Sequence, residues 1–297
     1  MTPKDVLGHR LIHQGLQGVR QDSPQAVVHA LGAVQAQDYG GAKWALALRL
    51  TDAADAAIEQ AFNDGAILRT HILRPTWHFV TPQDIRWMLA LTAPRVQAAS
   101  AQYYRNQELD AATLRRGGEA LARALEAGAH LTRAELTNVL QRAKIDVHES
   151  RPALIIFHAE LEGILCSGAR RGKQHTYALL DHRARSPKAK SREESLAELT
   201  RRYFTGHGPA TEDDFVWWSG LTRSDARQGL DLAGQHLERM VLKSGVFWSA
   251  ESSRPPQRKR APTALLLPNY DEYLVAYSDR SLMFDEAATD KLDSRGN

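Results

Sequence analysis

Cysteine is almost missing from this chain: Cys166 stands alone among 297 residues. One thiol excludes an internal disulfide framework and any Cys-based zinc cluster. Long hydrophobic runs are missing as well. No apolar stretch approaches the roughly 20 residues needed to span a bilayer, and Met1-Thr2-Pro3-Lys4-Asp5 carries no apolar h-region of a signal peptide. The expectation is a cytoplasmic protein with no membrane partner. Several catalytic signatures are absent too: there is no G-x-S-x-G, no H-E-x-x-H, and no G-x-G-x-x-G opening a helix after a strand. The segment from Gly168 to Lys173 ends in Gly-Lys but is too short for a P-loop, and Gln174 stands where a Ser or Thr would hold magnesium. His158-Ala159-Glu160 matches the H-x-E half of a zinc deaminase, without the P-C-x-x-C half. The 12 histidines are scattered without ligand spacing. These absences point to a protein with no metal and no cofactor.

What the sequence does contain is a succession of amphipathic helical patterns, each closed by a short strand-turn-strand signal. Net charge is only +3, yet the pI is about 9.0, and the basic residues are clustered. That distribution suits a nucleic-acid partner. Residues 6–16 and 25–34 repeat apolar side chains at helical spacing, the second behind Ser23-Pro24, an N-cap followed by proline. Residues 45–50 read equally well as a short helix or a strand. Residues 53–62 are helical, and the β-prone runs 67–71 and 76–80 flank Pro75 as a hairpin. Thr81-Pro82 opens a further helix, and residues 110–127 read as a long bridging helix.

A second unit begins at Thr132, which forms a capping box with Glu135. A helix over 152–162 follows, then a hairpin with the basic, glycine-flanked tip Gly168-Ala169-Arg170-Arg171-Gly172-Lys173. Residues 183–192 read as a linker. A third unit starts at Ser195, with helices capped by Thr211 and Thr222 and a hairpin over 237–249. Residues 263–267 read as a buried strand, and Trp217-Trp218 as core. The order of helices followed by a hairpin is that of a winged helix. The predicted fold class is therefore mainly α with short β-hairpins (α+β), as tandem winged-helix units. The predicted domains are 1–108, 109–182 and 193–250, with 251–297 packing back on the core. Residues 292–297 read as an unfinished end.

At Val34-Gln35-Ala36-Gln37-Asp38 the chain resembles the winged-helix DNA glycosylase family that removes bulky alkylated bases and unhooks interstrand crosslinks. That family carries a Gln-x-Gln or Gln-x-Asp motif in its first winged-helix domain, and Gln35-Ala36-Gln37 matches the former. The stretches Leu68-Arg69-Thr70 to Thr76-Trp77-His78, Leu266-Leu267-Pro268-Asn269-Tyr270-Asp271-Glu272-Tyr273 and Asp279-Arg280 are similar to it too. The family usually continues past this C-terminus. The resemblance implies a monofunctional DNA glycosylase acting on alkylated purines, with Gln35 and Gln37 catalytic. It implies double-stranded DNA as partner, a monomer, and a bacterial protein associated with the nucleoid when bound to DNA. Asp38, the nearest carboxylate, could supply negative charge, and Asp271 would lie near the cleft, although a structural role fits it equally well.

Two glutamines can do this work because an N7- or N3-alkylated purine is already a cationic leaving group. A glutamine cannot take a proton at neutral pH, but it can accept a hydrogen bond from water and aim its oxygen dipole at a developing oxocarbenium charge. Residues two apart do not share a helix face, so the pair must sit at a helix end or on extended chain. The plain alternative is two exposed polar residues at a helix end. Candidate DNA contacts are Arg69, Arg74 and His78 in the first hairpin, Arg170, Arg171 and Lys173 in the basic tip, and Arg258, Lys259 and Arg260 in a basic loop. His78 could equally be a core histidine. The rival readings are a non-enzymatic winged-helix regulator, disfavoured by the lack of a dimerisation heptad, and a protein-interaction scaffold, disfavoured by the clustered arginines.

Overall fold

The computed structural model describes residues 2–185, 189–242, 245–250 and 264–284. Arg258, Lys259 and Arg260 lie outside the described residues. The first helices follow their capping chemistry. Thr2 and Asp5 form a capping box for α1 (Pro3–His13), and Ser23 accepts the Ala26 N–H to start α2 (Pro24–Leu31). Gly32, at φ +77°, ends α2 short of residue 34. The chain then extends as β1 (Val34–Gln35) and enters α3 (Tyr39–Ala47), so the first half of the ambiguous stretch 45–50 closes a helix and the rest leaves it as a turn. Next come α4 (Asp55–Asp64), β2 (Leu68–His71) and β3 (Trp77–Val80), the last two pairing antiparallel from Leu68↔Val80 to His71↔Trp77.

The helix expected at Thr81-Pro82 starts later, as α5 (Ile85–Asn106), because Thr81 and Asp84 first close a turn with a 2.6 Å side-chain hydrogen bond. Then follow α6 (Ala111–Leu125), β4 (Leu131–Thr132), α7 (Arg133–Arg142), α8 (Arg151–Leu161), β5 (Leu165–Ser167), β6 (Thr176–Leu179) and α9 (Leu180–Arg183). The remaining elements are α10 (Arg192–Gly206), α11 (Glu212–Ser219), α12 (Arg223–Ala233), β7 (Leu237–Leu242), β8 (Gly245–Ala250) and α13 (Glu272–Val275). Thr132–Glu135, Thr211–Asp214 and Thr222–Asp225 all form full capping boxes, each N-cap contributing about 1 kcal/mol. No helix among the described residues is long and apolar enough to cross a membrane.

The chain divides into two compact units, residues 1–58 with 193–297, and residues 59–192. The boundaries therefore differ from those expected: residues 59–108 group with the second unit, because the β2–β3 hairpin and α5 pack there against α8 and β5. The helix over 110–127 is no bridge. As α6 it is part of that unit's core, where Leu114, Leu121 and Leu125 pack with Leu136, Leu140 and Ile155. Its contact with α8 is so close that a Cβ at Gly117 would sit 2.5 Å from Ile155 Cγ2. Within this unit α6, β4, α7, α8, β5 and β6 follow one another, and the sheet order is β4-β6-β5, the connectivity of a helix-turn-helix with a β wing.

The first unit repeats that order in its second half: α10, α11, α12, then the β7–β8 hairpin. Its third strand shrinks to a bridge in which Ala210 and Trp248 exchange backbone hydrogen bonds. Its core is aromatic. Tyr203 stacks on His207 at 4.9 Å and packs 5.0 Å from Trp218, which is fully buried. Trp217, expected in the core beside it, is 45% exposed and donates its indole N–H to Val275 O. The strand expected over 263–267 does not form in the described part. Leu266 is 79% exposed, because residues 264–268 take no regular structure.

Candidate functional site

Gln35 closes β1, and Gln37 lies on the bend that leads into α3. The motif thus occupies extended chain at the start of a helix, one of the placements its spacing allows. Gln35 is 7% exposed, Ala36 is fully buried and Gln37 is exposed. The backbone here is braced from below. The Gln35 N–H donates to Glu272 Oε1 at 2.7 Å, and Trp218 Nε1 donates to Glu272 Oε2 at 3.0 Å. Glu272 is itself fully buried, so its carboxylate faces these donors and not solvent. A charged acceptor for a backbone amide makes a stronger hydrogen bond than a neutral one.

Asp38 takes the N-cap position of α3 without a side-chain cap bond, and it is exposed. Its carboxylate folds over the first turn. A Cβ at Gly41 would lie 2.7 Å from Asp38 Oδ2 and 3.2 Å from Pro268 Cβ, so glycine at 41 makes room for it. The result is an exposed carboxylate and an exposed amide, next to one another in sequence, at a helix N-terminus.

Asp271 sits elsewhere in this unit's interior and is fully buried. Both its oxygens accept from Arg49, Nη1 to Oδ2 at 2.8 Å and Nη2 to Oδ1 at 2.7 Å, and Oδ1 also caps α13 through the Tyr273 N–H. Arg49 reaches on to Gln14 Oε1 at 2.9 Å, Gln14 donates to the Tyr277 hydroxyl, and Tyr277 donates to His207 O. Burial pushes the Tyr277 phenol well up, so it stays a donor. Of the two readings open for Asp271, a place near the cleft or a structural role, these contacts describe a carboxylate that anchors α13.

The candidate DNA contacts at 69–78 and 170–173 belong to the unit of residues 59–192. His78 is fully buried, with Nδ1 on Thr76 O at 3.0 Å, which corrects its reading as a DNA contact: it is a core histidine. Arg69 is 9% exposed and lies over the Trp77 ring at 4.3 Å, which removes it too from a phosphate-facing surface. Arg74, beside them, is half-buried. In the basic tip, Arg170 pairs with Glu59 at 3.2 Å and Arg171 with Glu135 at 2.7 Å. Glu135 is held down to about 2, first by the Thr132 backbone N–H and then by Arg171. Lys173 is exposed and has no carboxylate partner among the described residues. Cys166 is buried and pushed up to about 12 by that burial, so it offers no thiolate nucleophile near neutral pH.

His175 follows the tip and is held down to about 4, first by burial and then by Arg69 and Arg170. Below the ordinary value of 6.5, an unfolded chain takes up a proton that folded His175 refuses until about 4. Stability falls as pH drops through that window and is unaffected by this group above it. His13, His130 and His158 are held low by burial as well and share the effect. The loss of melting temperature between pH 7 and about pH 5 is expected to be smaller in His175→Gln than in the parent chain. Equal losses would show that His175 does not contribute.

A family model of the AlkZ-like DNA glycosylases matches residues 28–293. The chain belongs to the AlkZ-like DNA glycosylase family. It is similar to an interstrand DNA cross-link repair glycosylase of Streptomyces sahachiroi, 26% identical over 284 residues that span 92% of this chain and 76% of that protein. The solved structure of the Streptomyces sahachiroi DNA glycosylase AlkZ shares the fold, with a TM-score of 0.74 over 84% of this chain and 70% of that one, at 23% identity. The AlkZ-like chain is thus a DNA repair glycosylase, a hydrolase acting on N-glycosyl bonds. Sequence reasoning about this AlkZ-like site missed Glu272, Arg49 and Gln14. Only Glu272 left a signal, standing beside Asp271 in the Pro268 to Tyr273 stretch; nothing in residues 14 or 49 alone marks them as its neighbours in the fold.

Proposed function

We propose that this AlkZ-like glycosylase cleaves the N-glycosidic bond of purines alkylated at N7 or N3 in duplex DNA, bulky adducts and interstrand crosslinks included, with Gln35 and Gln37 positioning the water. The observation that carries the reading is the rigid seat of the motif. The Gln35 amide is fixed by buried Glu272, while Gln37 and Asp38 stand exposed beside it. The C1′–N9 electron pair leaves with the alkylated base, which becomes neutral, so no general acid is needed. Water attacks the cationic sugar through its oxygen and loses its proton to solvent. The two amides orient that water, and the Asp38 carboxylate opposes the developing positive charge. The nearest following lysine, Lys43, is paired with Asp55 at 2.8 Å, consistent with simple hydrolysis and not a Schiff-base step.

The direct test incubates purified protein with duplex DNA bearing N7-methylguanine or a guanine crosslink and measures abasic sites. Formation of product supports the reading. Tight binding without product from any alkylated duplex would favour a non-enzymatic DNA-binding role.

The exposed, unpaired Lys173 and the carboxylate-paired Arg170 and Arg171 set different expectations for DNA binding. Lys173→Ala should reduce the slope of log K against log salt by about 0.9, the contribution of one phosphate contact. Arg171→Ala should change it less, since Glu135 already neutralises that charge. A slope unchanged in Lys173→Ala would remove the tip from the DNA contact.

A further inference from the structure

The unit of residues 59–192 contains a cavity of about 410 Å³ that neither Gln35 nor Gln37 touches. Its size falls within the range of small-molecule sites. Trp77, Tyr103, Phe157 and Tyr177 bring four aromatic rings to its walls, with Arg133, His71 and Glu160 as its charged and titratable groups. Glu160 is 1% exposed. It is the acidic residue of the H-x-E fragment, yet its partner is not His158. Its Oε2 accepts from His71 Nδ1 at 2.7 Å, while Oε1 has no hydrogen-bond partner. A buried carboxylate oxygen without a donor is costly unless something else supplies one. His71 is itself locked in place, with Trp77 packed on it at 4.2 Å and Phe157 edge-on at 4.6 Å. Arg133 is exposed and lies 5.8 Å from the Trp77 ring. No group of three or more His, Cys, Asp or Glu placed to hold a metal ion occurs among the described residues.

We propose that this cavity binds a guanine-type base. The ligand must be flat, to lie among the rings, and must offer N–H donors to Glu160 Oε1. It must also carry an acceptor edge for an arginine. Guanine meets all three conditions: N1–H and the 2-amino group form an edge made only of donors, and O6 with N7 is the acceptor pair that arginine recognises. Adenine alternates donor and acceptor on the corresponding edge and sets a lone pair against the carboxylate. The base can arrive free, as a released purine or nucleoside, or as an unpaired guanine on a DNA strand.

Calorimetry on the full chain with guanosine, adenosine, a thymine oligonucleotide and the same oligonucleotide with one guanine separates these cases. Saturable guanosine binding is expected, at least about tenfold tighter than adenosine. Glu160→Gln, which keeps shape but removes the all-acceptor carboxylate, should weaken guanosine about tenfold. Tyr103→Ala changes a ring that is 65% exposed, carries little folding risk, and should weaken guanosine several-fold. Tighter binding of the guanine-bearing strand than of guanosine would identify a strand as the source, and indifference to the strand would identify the free base. Gln35→Ala should leave guanosine binding unchanged, so this site stands or falls independently of the glycosylase motif. No binding of guanosine or of the guanine-bearing strand, equal affinity for adenosine, or affinity unaltered in both Glu160→Gln and Tyr103→Ala would overturn the proposal.

Discussion

Gln37→Ala is expected to lower abasic-site formation on an N7-methylguanine duplex by about two orders of magnitude, the usual effect of removing one preorganised polar group from a hydrolytic site. DNA affinity should not change, because the exposed amide of Gln37 carries no charge for phosphate. Gln37→Asp should retain activity: an aspartate also accepts from water and adds negative charge opposite the oxocarbenium ion, and the family pattern admits Gln-x-Asp. Gln35→Ala should cost at least as much, since its backbone is the one pinned by Glu272. That pin uses the Gln35 N–H, which alanine keeps, so the fold around β1 should survive. Single-turnover rates with saturating enzyme decide the matter. Rates unchanged in both alanine variants would exclude the two glutamines from catalysis.

Asp271→Ala is expected to cost about 3–5 kcal/mol of stability, because it leaves the Arg49 guanidinium buried without a counter-charge. For a chain of this size that is roughly a 10 °C fall in melting temperature. Arg49→Met should be milder than Asp271→Ala. Methionine fills much of the arginine stem's volume and brings no charge, while the Asp271 carboxylate keeps the Tyr273 N–H. The two outcomes separate a structural pair from a catalytic one. If Asp271→Ala melted like the parent chain but lost activity, the anchoring role assigned to Asp271 would fail. Activity in Asp271→Ala should follow the folded fraction, since α13 carries both Asp271's cap and the Glu272 that braces Gln35.

Much of the local structure was legible in residue chemistry. Thr132, Thr211 and Thr222 each announce a helix because a hydroxyl and a carboxylate three residues on satisfy two backbone donors locally. The basic tip between β5 and β6 was readable from its glycines. The failures were of another kind. The strand expected from the apolar run ending at Leu267 does not form among its described residues, because apolar character signals burial only when packing covers it, and Leu266 stays 79% exposed. Arg69 read as a surface contact, and His78 equally as a surface contact or a core histidine, because a basic side chain on a hairpin usually points outward. Alternation alone could not reveal that both faces of β2 and β3 are covered.

The sequence by itself determined the helix starts, the order of helix and hairpin, and the position of the Gln-x-Gln motif outside any helix interior, because caps, turns and side-chain periodicity act within a few residues. The tertiary structure alone decided what surrounds that motif. Glu272 reaches Gln35 across 237 positions and Asp271 reaches Arg49 across 222. Such pairs leave no local trace, since burial of a charge is set by the packing of distant elements and by the cost of leaving it unpaired. The same reason hid the division of the chain after Ile58, inside a helix whose own sequence runs on without a break.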